Sequence, residues 1–166
     1  MEKTIQDEVD SLAIVKEAVF RIPPDQVKDY LERNPNAKVL PAKGVFTIKP
    51  SFKFKARGVG CGNFIVGETS SKEDIYSGGV EAMSLRLVLR LGALYKWHLG
   101  AIDVSTAFLN AALKLPYVII VWAPQIFVDA GVCEEGEAWL VIKALYGLRE
   151  SLKAWGDERD AAMRNF

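Results

Sequence analysis

Three groups of residues in this chain have the types and spacing to do chemistry. The first is Asp103, which closes the apolar run 97–102 and opens the segment Asp103-Val104-Ser105-Thr106-Ala107-Phe108. A carboxylate at the end of a buried strand faces the cleft beyond the sheet, where it binds a hard cation such as Mg²⁺ through oxygen. Asp is also a favoured N-cap, and a short helix is expected over 105–112, so spacing leaves both roles open. The second group is Lys53, Lys55 and Arg57, set two apart. In a strand that spacing puts the three cations on one face, with Phe52 and Phe54 on the other. Such a face meets phosphate, or is the solvated side of a basic hairpin. The third group is Tyr146-Gly147-Leu148-Arg149. It reads as a turn into a helix whose N-terminus faces an anion, or as an ordinary strand-to-helix turn.

Other chemistry finds little support. His98 is the single histidine and follows Trp97 in a strand-like run, which reads as a packed or surface position. No Ser/His/Asp or Cys/His arrangement can be assembled, and no GxxxxGK[ST] phosphate loop is present. Gly58-Val59-Gly60-Cys61-Gly62 lacks the strand-then-helix context of a dinucleotide site and reads as a turn. Net charge is zero, from 21 basic and 21 acidic residues, so any attraction to a polyanion must be local. It is local: between Arg33 and Gly67 there is no acidic residue, while Arg33, Lys38, Lys43, Lys49, Lys53, Lys55 and Arg57 fall there. Cys61 and Cys133 have neither metal-ligand nor secreted-scaffold spacing, which points to a reducing compartment. The acidic N-terminus does not resemble a signal peptide. Apolar runs such as 117–124 fall far short of the ~20 residues that span a bilayer. A soluble intracellular protein, not secreted and with no membrane partner, is expected.

The elements that must position these residues follow from periodicity. A chain of 166 residues, half hydrophobic and a quarter charged, suits one globular domain. Ile5, Val9, Leu12, Val15 and Val19 recur at helical spacing and predict an amphipathic helix over roughly the first twenty residues, ended by Pro23-Pro24. A second helix is expected over 25–33, then a turn at Asn34-Pro35-Asn36. Runs 43–49 and 52–59 flank Pro50-Ser51 as a hairpin. A loop is expected over 68–79, a core helix over 80–96 with Leu85, Val88 and Leu89 on its buried side, and a buried strand over 97–102. Strands over 117–121 and 137–143 and an amphipathic helix over 147–165 complete an α+β arrangement around an antiparallel sheet with packed helices.

Taken together, these segments resemble a known family. Asp103-Val104-Ser105-Thr106-Ala107-Phe108-Leu109-Asn110 resembles the DVxxAFLN block of copia-type LTR retrotransposon reverse transcriptases. The run from Lys143 through Tyr146-Gly147-Leu148-Arg149-Glu150-Ser151, with Ala154-Trp155, resembles that family's KALYGLKQxPRAW block. Lys55-Ala56-Arg57 with Val59 and Gly62 resembles its KARLVARG strand, and Val45-Phe46-Thr47-Ile48-Lys49 the WVFKVK strand before it. Glu8-Val9-Asp10-Ser11-Leu12 resembles the opening ExxSL helix, and Leu85-Arg86 the arginine-bearing helix ahead of the aspartate strand.

The resemblance implies the fingers and partial palm of a right-handed polymerase. Residues 1–100 would be fingers-like with N-terminal helices, and 101–166 part of the palm. It implies nucleotidyl transfer with two Mg²⁺ ions in the complete enzyme, a template–primer of RNA or DNA, dNTP, and the remainder of a polyprotein as partners. The setting would be a cytoplasmic particle or the nucleus. Carried over by motif, Asp103 and the Val104 carbonyl would bind metal, and Phe108 would lie under the incoming sugar. Lys55 and Arg57 would face the triphosphate, Tyr146 and Gly147 would line the nucleotide pocket, and Ser105 and Thr106 would join the nucleotide-binding set. Lys49, Lys53 and Arg149 would meet nucleic acid.

The chain also departs from the pattern. It contains no Asp-Asp, whereas the family completes its metal site with a Tyr-x-Asp-Asp hairpin. Gly58 and Gly60 stand where the family carries larger residues, which weakens a strand, and Leu152 stands where it carries proline. These departures imply a fragment inactive by itself. They leave open a decayed or host-retained piece with at most weak nucleic-acid binding, and an unrelated α+β module that binds a small ligand or protein.

Overall fold

The computed structural model describes residues 1–65 and 79–165. Except for Gly79, the loop expected over 68–79 lies outside them. The fold is α+β, as the order of periodic segments implies.

Helix α1 spans Glu2–Asp10, and Ile5, Val9 and Leu12 are fully buried. The helical expectation over the first twenty residues fails at its end. A π-turn over Ser11–Val15 widens the coil and leaves Val15 exposed. Glu17 then takes a left-handed backbone (φ 49°), which reverses the chain. Val19–Ile22 forms strand β1 instead, where its residues pair antiparallel with Ala138–Val141, strand β6. Helix α2 spans Pro24–Arg33 with proline at its first position, where the missing N–H costs nothing.

Strand β2 (Lys38–Leu40) was not foreseen, and it runs parallel to β5 (Ile119–Trp122). The sheet order is β1-β6-β5-β2, antiparallel except for that last pair. One face carries Ile22, Ile120 and Ala138 with Val27, Tyr30 and Leu31 of α2 over them. The other face carries Trp139, Val141, Ile119 and Val121, and buries Ile5 and Val9 of α1 and Leu12 of the π-turn.

Strands β3 (Ala42–Ile48) and β4 (Phe54–Gly60) form the expected hairpin, in register from Ala42 opposite Gly60 to Ile48 opposite Phe54. Phe127 is carried by the short unforeseen helix α4 (Gln125–Asp129). It links hairpin to sheet, its ring 6.4 Å from Phe46 and 6.3 Å from Trp139. Helix α5 (Ser151–Arg164) follows β6.

Helix α3 (Ala82–Leu94) forms where expected but is not a core helix. Leu85, Val88 and Leu89 are about half exposed, at 51%, 49% and 46%. The strand expected over 97–102 is absent: residues 97–104 have no regular structure, and Trp97, Leu99, Ile102 and Val104 are exposed. A helix closes its hydrogen bonds within itself, whereas a strand needs a neighbour. Among the described residues no strand takes the 97–102 backbone. No described helix is long and apolar enough to cross a membrane.

Candidate functional site

Strand β4 alternates as period two requires. Ala56, Gly58 and Gly60 are buried, and Lys55, Arg57 and Val59 are half-buried on the other side. The predicted face is shorter than expected. Lys49 and Lys53 lie in the hairpin tip, where the Lys49 amide donates to the Lys53 carbonyl (2.9 Å), and both are exposed. Phe52 and Phe54 do not turn inward. Phe52 is 88% exposed with a left-handed backbone in the turn, and Phe54 lies beyond the reach of the core.

The two glycines expected to weaken this strand have a packing role instead. A Cβ on Gly58 would stand 3.2 Å from both Leu12 Cδ1 and Trp139 Cζ3, and one on Gly60 would stand 3.1 Å from Leu148 Cδ2. Larger neighbours from the π-turn after α1, from β6 and from the turn that follows β6 fill the space that side chains at 58 and 60 would need.

The Tyr146 turn is tied to the end of β4. The Gly60 amide donates to the Tyr146 carbonyl (2.8 Å) and the Gly62 amide to the Gly147 carbonyl (3.2 Å). Gly147 has φ +85°, and a Cβ there would overlap the Gly60 carbonyl oxygen, so only glycine fits. This turn delays the C-terminal helix to Ser151, short of the expected start at 147. Ser151 Oγ donates to the Leu145 carbonyl (2.7 Å), so the helix begins without the family's proline. Arg149 is exposed and makes no hydrogen bond or ion pair among the described residues.

The same turn gathers a cluster. Arg57 Cζ lies 5.6 Å from the Tyr146 ring centroid, and the Phe108 ring meets Tyr146 edge-on at 5.9 Å. Phe108 is delivered by a 3₁₀ turn over Ala107–Asn110 with Leu109 buried as its anchor. Beyond it the backbone is stitched alongside the end of β6: the Ala144 amide donates to the Ala111 carbonyl (2.8 Å) and the Leu113 amide to the Ile142 carbonyl (3.2 Å). Arg57 Nε is buried without a hydrogen-bond partner among the described residues. Burial pushes the Tyr146 phenol above its ordinary value, and nearby Glu8 adds to that push while Arg57 opposes it.

Glu8 is the residue that motif reading missed as part of this site. Its Oε1 accepts the Gly58 amide (3.1 Å). Burial raises its carboxyl above the ordinary value, and the Gly58 amide, Lys55 and Arg57 pull it partly back. The signal was in the sequence, since Glu8 sits on the same helical stripe as Ile5, Val9 and Leu12, where a carboxylate is out of place.

Asp103 is neither at a strand end nor at a helix cap, the two positions expected for it. Asp103, Val104 and Ser105 are exposed on the irregular segment, and Asp103 makes no hydrogen bond or ion pair among the described residues. The 3₁₀ turn begins after Thr106, which is left-handed (φ 50°) and whose Oγ1 donates to the Ser105 carbonyl (2.8 Å). Asp103 therefore neither caps that turn nor ends a strand. The structure brings Arg57, Phe108, Tyr146 and Gly147 together, with Lys55 on the same strand face as Arg57. It leaves Asp103, Val104, Ser105, Lys49, Lys53 and Arg149 at the surface.

A half-buried cation of β4 and an aromatic pair, Phe108 and Tyr146, thus come together where the hairpin meets the turn after β6. A family model described as reverse transcriptase (RNA-dependent DNA polymerase) matches residues 26–166, and the chain belongs to that family. No solved structure matches it. Helix α1 lies outside the matched stretch but supplies core residues and Glu8. Enzymes of this family use divalent metal ions. Among the described residues no three His, Cys, Asp or Glu side chains come together to hold a metal, and Asp103 is a lone exposed carboxylate. That donor set does not fit a two-ion centre.

Proposed function

We propose that this chain is a fingers and partial-palm piece of a copia-type retrotransposon RNA-directed DNA polymerase. Residues 1–100 would be fingers-like and 101–166 would belong to the palm, and the four-stranded sheet joins strands from both. In this reading Lys55 and Arg57 meet phosphate, Tyr146 and Gly147 line the nucleotide pocket, and Phe108 lies under the sugar. The observation that carries it is the Arg57–Tyr146–Phe108 cluster, three motif residues distant in sequence and adjacent in space. A guanidinium beside an aromatic ring offers phosphate a rigid fork of donors, and a base a surface to stack on. The buried, unpartnered Arg57 Nε leaves donor capacity in hand.

Asp103 and Val104 would bind Mg²⁺ only in a longer chain that brings further carboxylates to them. The partners would then be a template–primer, dNTP and the rest of the polyprotein, in a cytoplasmic particle or the nucleus. The 166-residue chain should incorporate no nucleotide on a primed template with Mg²⁺. Primer extension checks this, and incorporation that Asp103→Asn abolishes contradicts it. A second reading, a non-catalytic relic that retains weak nucleic-acid binding, is favoured by the exposed, unpartnered position of Asp103.

A further inference from the structure

Glu8 is placed unlike an ordinary surface carboxylate. It projects from the buried side of α1 onto β4, whose only strand neighbour among the described residues is β3, and takes up the Gly58 amide at 3.1 Å. Arg57 precedes Gly58 in the strand, and the charged and titratable groups that act electrostatically with Glu8 are Lys55 and Arg57 from β4 and the Tyr146 phenol from the turn after β6. The two cations are the ones through which the proposed phosphate contact is made.

We infer that Glu8 is a built-in counter-anion of the Lys55–Arg57 face, so that phosphate binding draws a proton onto Glu8 and tightens as pH falls. The inference rests on the phosphate-face reading above. Burial already works against the Glu8 charge, and Lys55 and Arg57 are part of what sustains it. An arriving phosphate engages those two cations and adds its own negative charge nearby. Both effects disfavour the carboxylate, and its proton comes from solvent. The sign follows: the bound complex holds Glu8 at a higher pKa than the free protein. Affinity therefore rises as pH falls through the interval between the two values, and is flat above the higher one.

The test uses the 166-residue chain and a fluorescein-labelled DNA primer on an RNA template, with binding followed by anisotropy from mildly acidic to mildly alkaline buffer. Glu8→Gln keeps an oxygen acceptor for the Gly58 amide and removes the charge. It should bind about three- to tenfold tighter at neutral pH and lose the acid-side gain of the parent chain. Glu8→Gln that binds no tighter, or that shares the parent's pH profile, overturns the inference. Calorimetry of the parent chain in two buffers of different ionisation heat gives an independent readout: proton uptake on binding supports the inference, and zero uptake overturns it. Arg57→Ala and Lys55→Ala separate the two layers. If neither weakens binding, the phosphate-face reading falls and the inference with it. If both weaken it while Glu8→Gln changes nothing, the face stands and Glu8 has no part in it.

Discussion

Two regions of this molecule are equally apolar in sequence and differ in how that apolar surface is used. In the sheet, the hairpin and the segments packed on them, Trp139, Phe127, Ile5, Leu12 and Ile120 are almost wholly buried. Over 82–104, Met83, Leu85, Leu87, Val88 and Ile102 are open to solvent. The contrast shows that a hydrophobic pattern says which face needs cover and not what covers it. A helix survives without cover because its hydrogen bonds are internal, so α3 forms. A strand has no such recourse, so 97–102 does not. The site divides along the same line: the cationic and aromatic half sits on the covered region, and Asp103 sits on the other.

The comparison breaks most sharply at Trp139. Its ring is enclosed by Phe127 and the Gly58 backbone, and its Nε1 donates to Glu137 Oε1 at 2.7 Å. Trp139→Ala should cost about 4 kcal/mol, read as a fall in the denaturant midpoint. Next comes Glu137, nearly fully buried, which accepts two hydrogen bonds from Arg21 (both 2.7 Å), one from Trp139 and one from the Glu134 amide (3.1 Å). Burial pushes its carboxyl up, but the bonds from Arg21, Trp139 and Glu134 together outweigh that and hold it below the ordinary 4.5. Because Arg21 is partly exposed, Glu137→Ala should cost about 2–3 kcal/mol rather than the full value for a buried pair. A depressed carboxylate stabilises the fold above its unfolded pKa. That contribution fades as pH falls below about 4.5 and through the lower folded value, so the stability gap between parent and Glu137→Gln should narrow in acid. A constant gap would contradict the assignment. The smallest effect is expected at Leu85, where Leu85→Ala should change stability by under about 0.5 kcal/mol. A loss of 2 kcal/mol or more there would mean that α3 is covered after all.

Much of this was legible in the sequence. Helix α2, the hairpin, β5, β6 and the last helix follow from spacing and turn residues. Strand β2 and helix α4 escaped because three and five residues are too few to show a period. Strand β1 was read as helix because Val15 and Val19 fit helical spacing. The π-turn and the left-handed Glu17 that break the helix carry no residue signal as strong as proline or glycine. Of the site, Arg57, Phe108, Tyr146 and Gly147 came from motif order. Glu8 was visible as a carboxylate on an apolar stripe but was not connected to β4, since nothing local says which strand a helix will meet. The strand end expected at Asp103 is absent because the pattern over 97–102 could not supply a pairing partner.

The most direct test of this division is the salt-dependent binding of a labelled primer–template by the parent chain, Arg57→Ala and Asp103→Asn. Arg57→Ala should weaken binding about tenfold, by the same factor on every sequence, and flatten its salt dependence, with Lys55→Ala behaving alike. Asp103→Asn should leave affinity and salt slope unchanged. Binding that Asp103→Asn alters and Arg57→Ala does not would contradict the account at its centre.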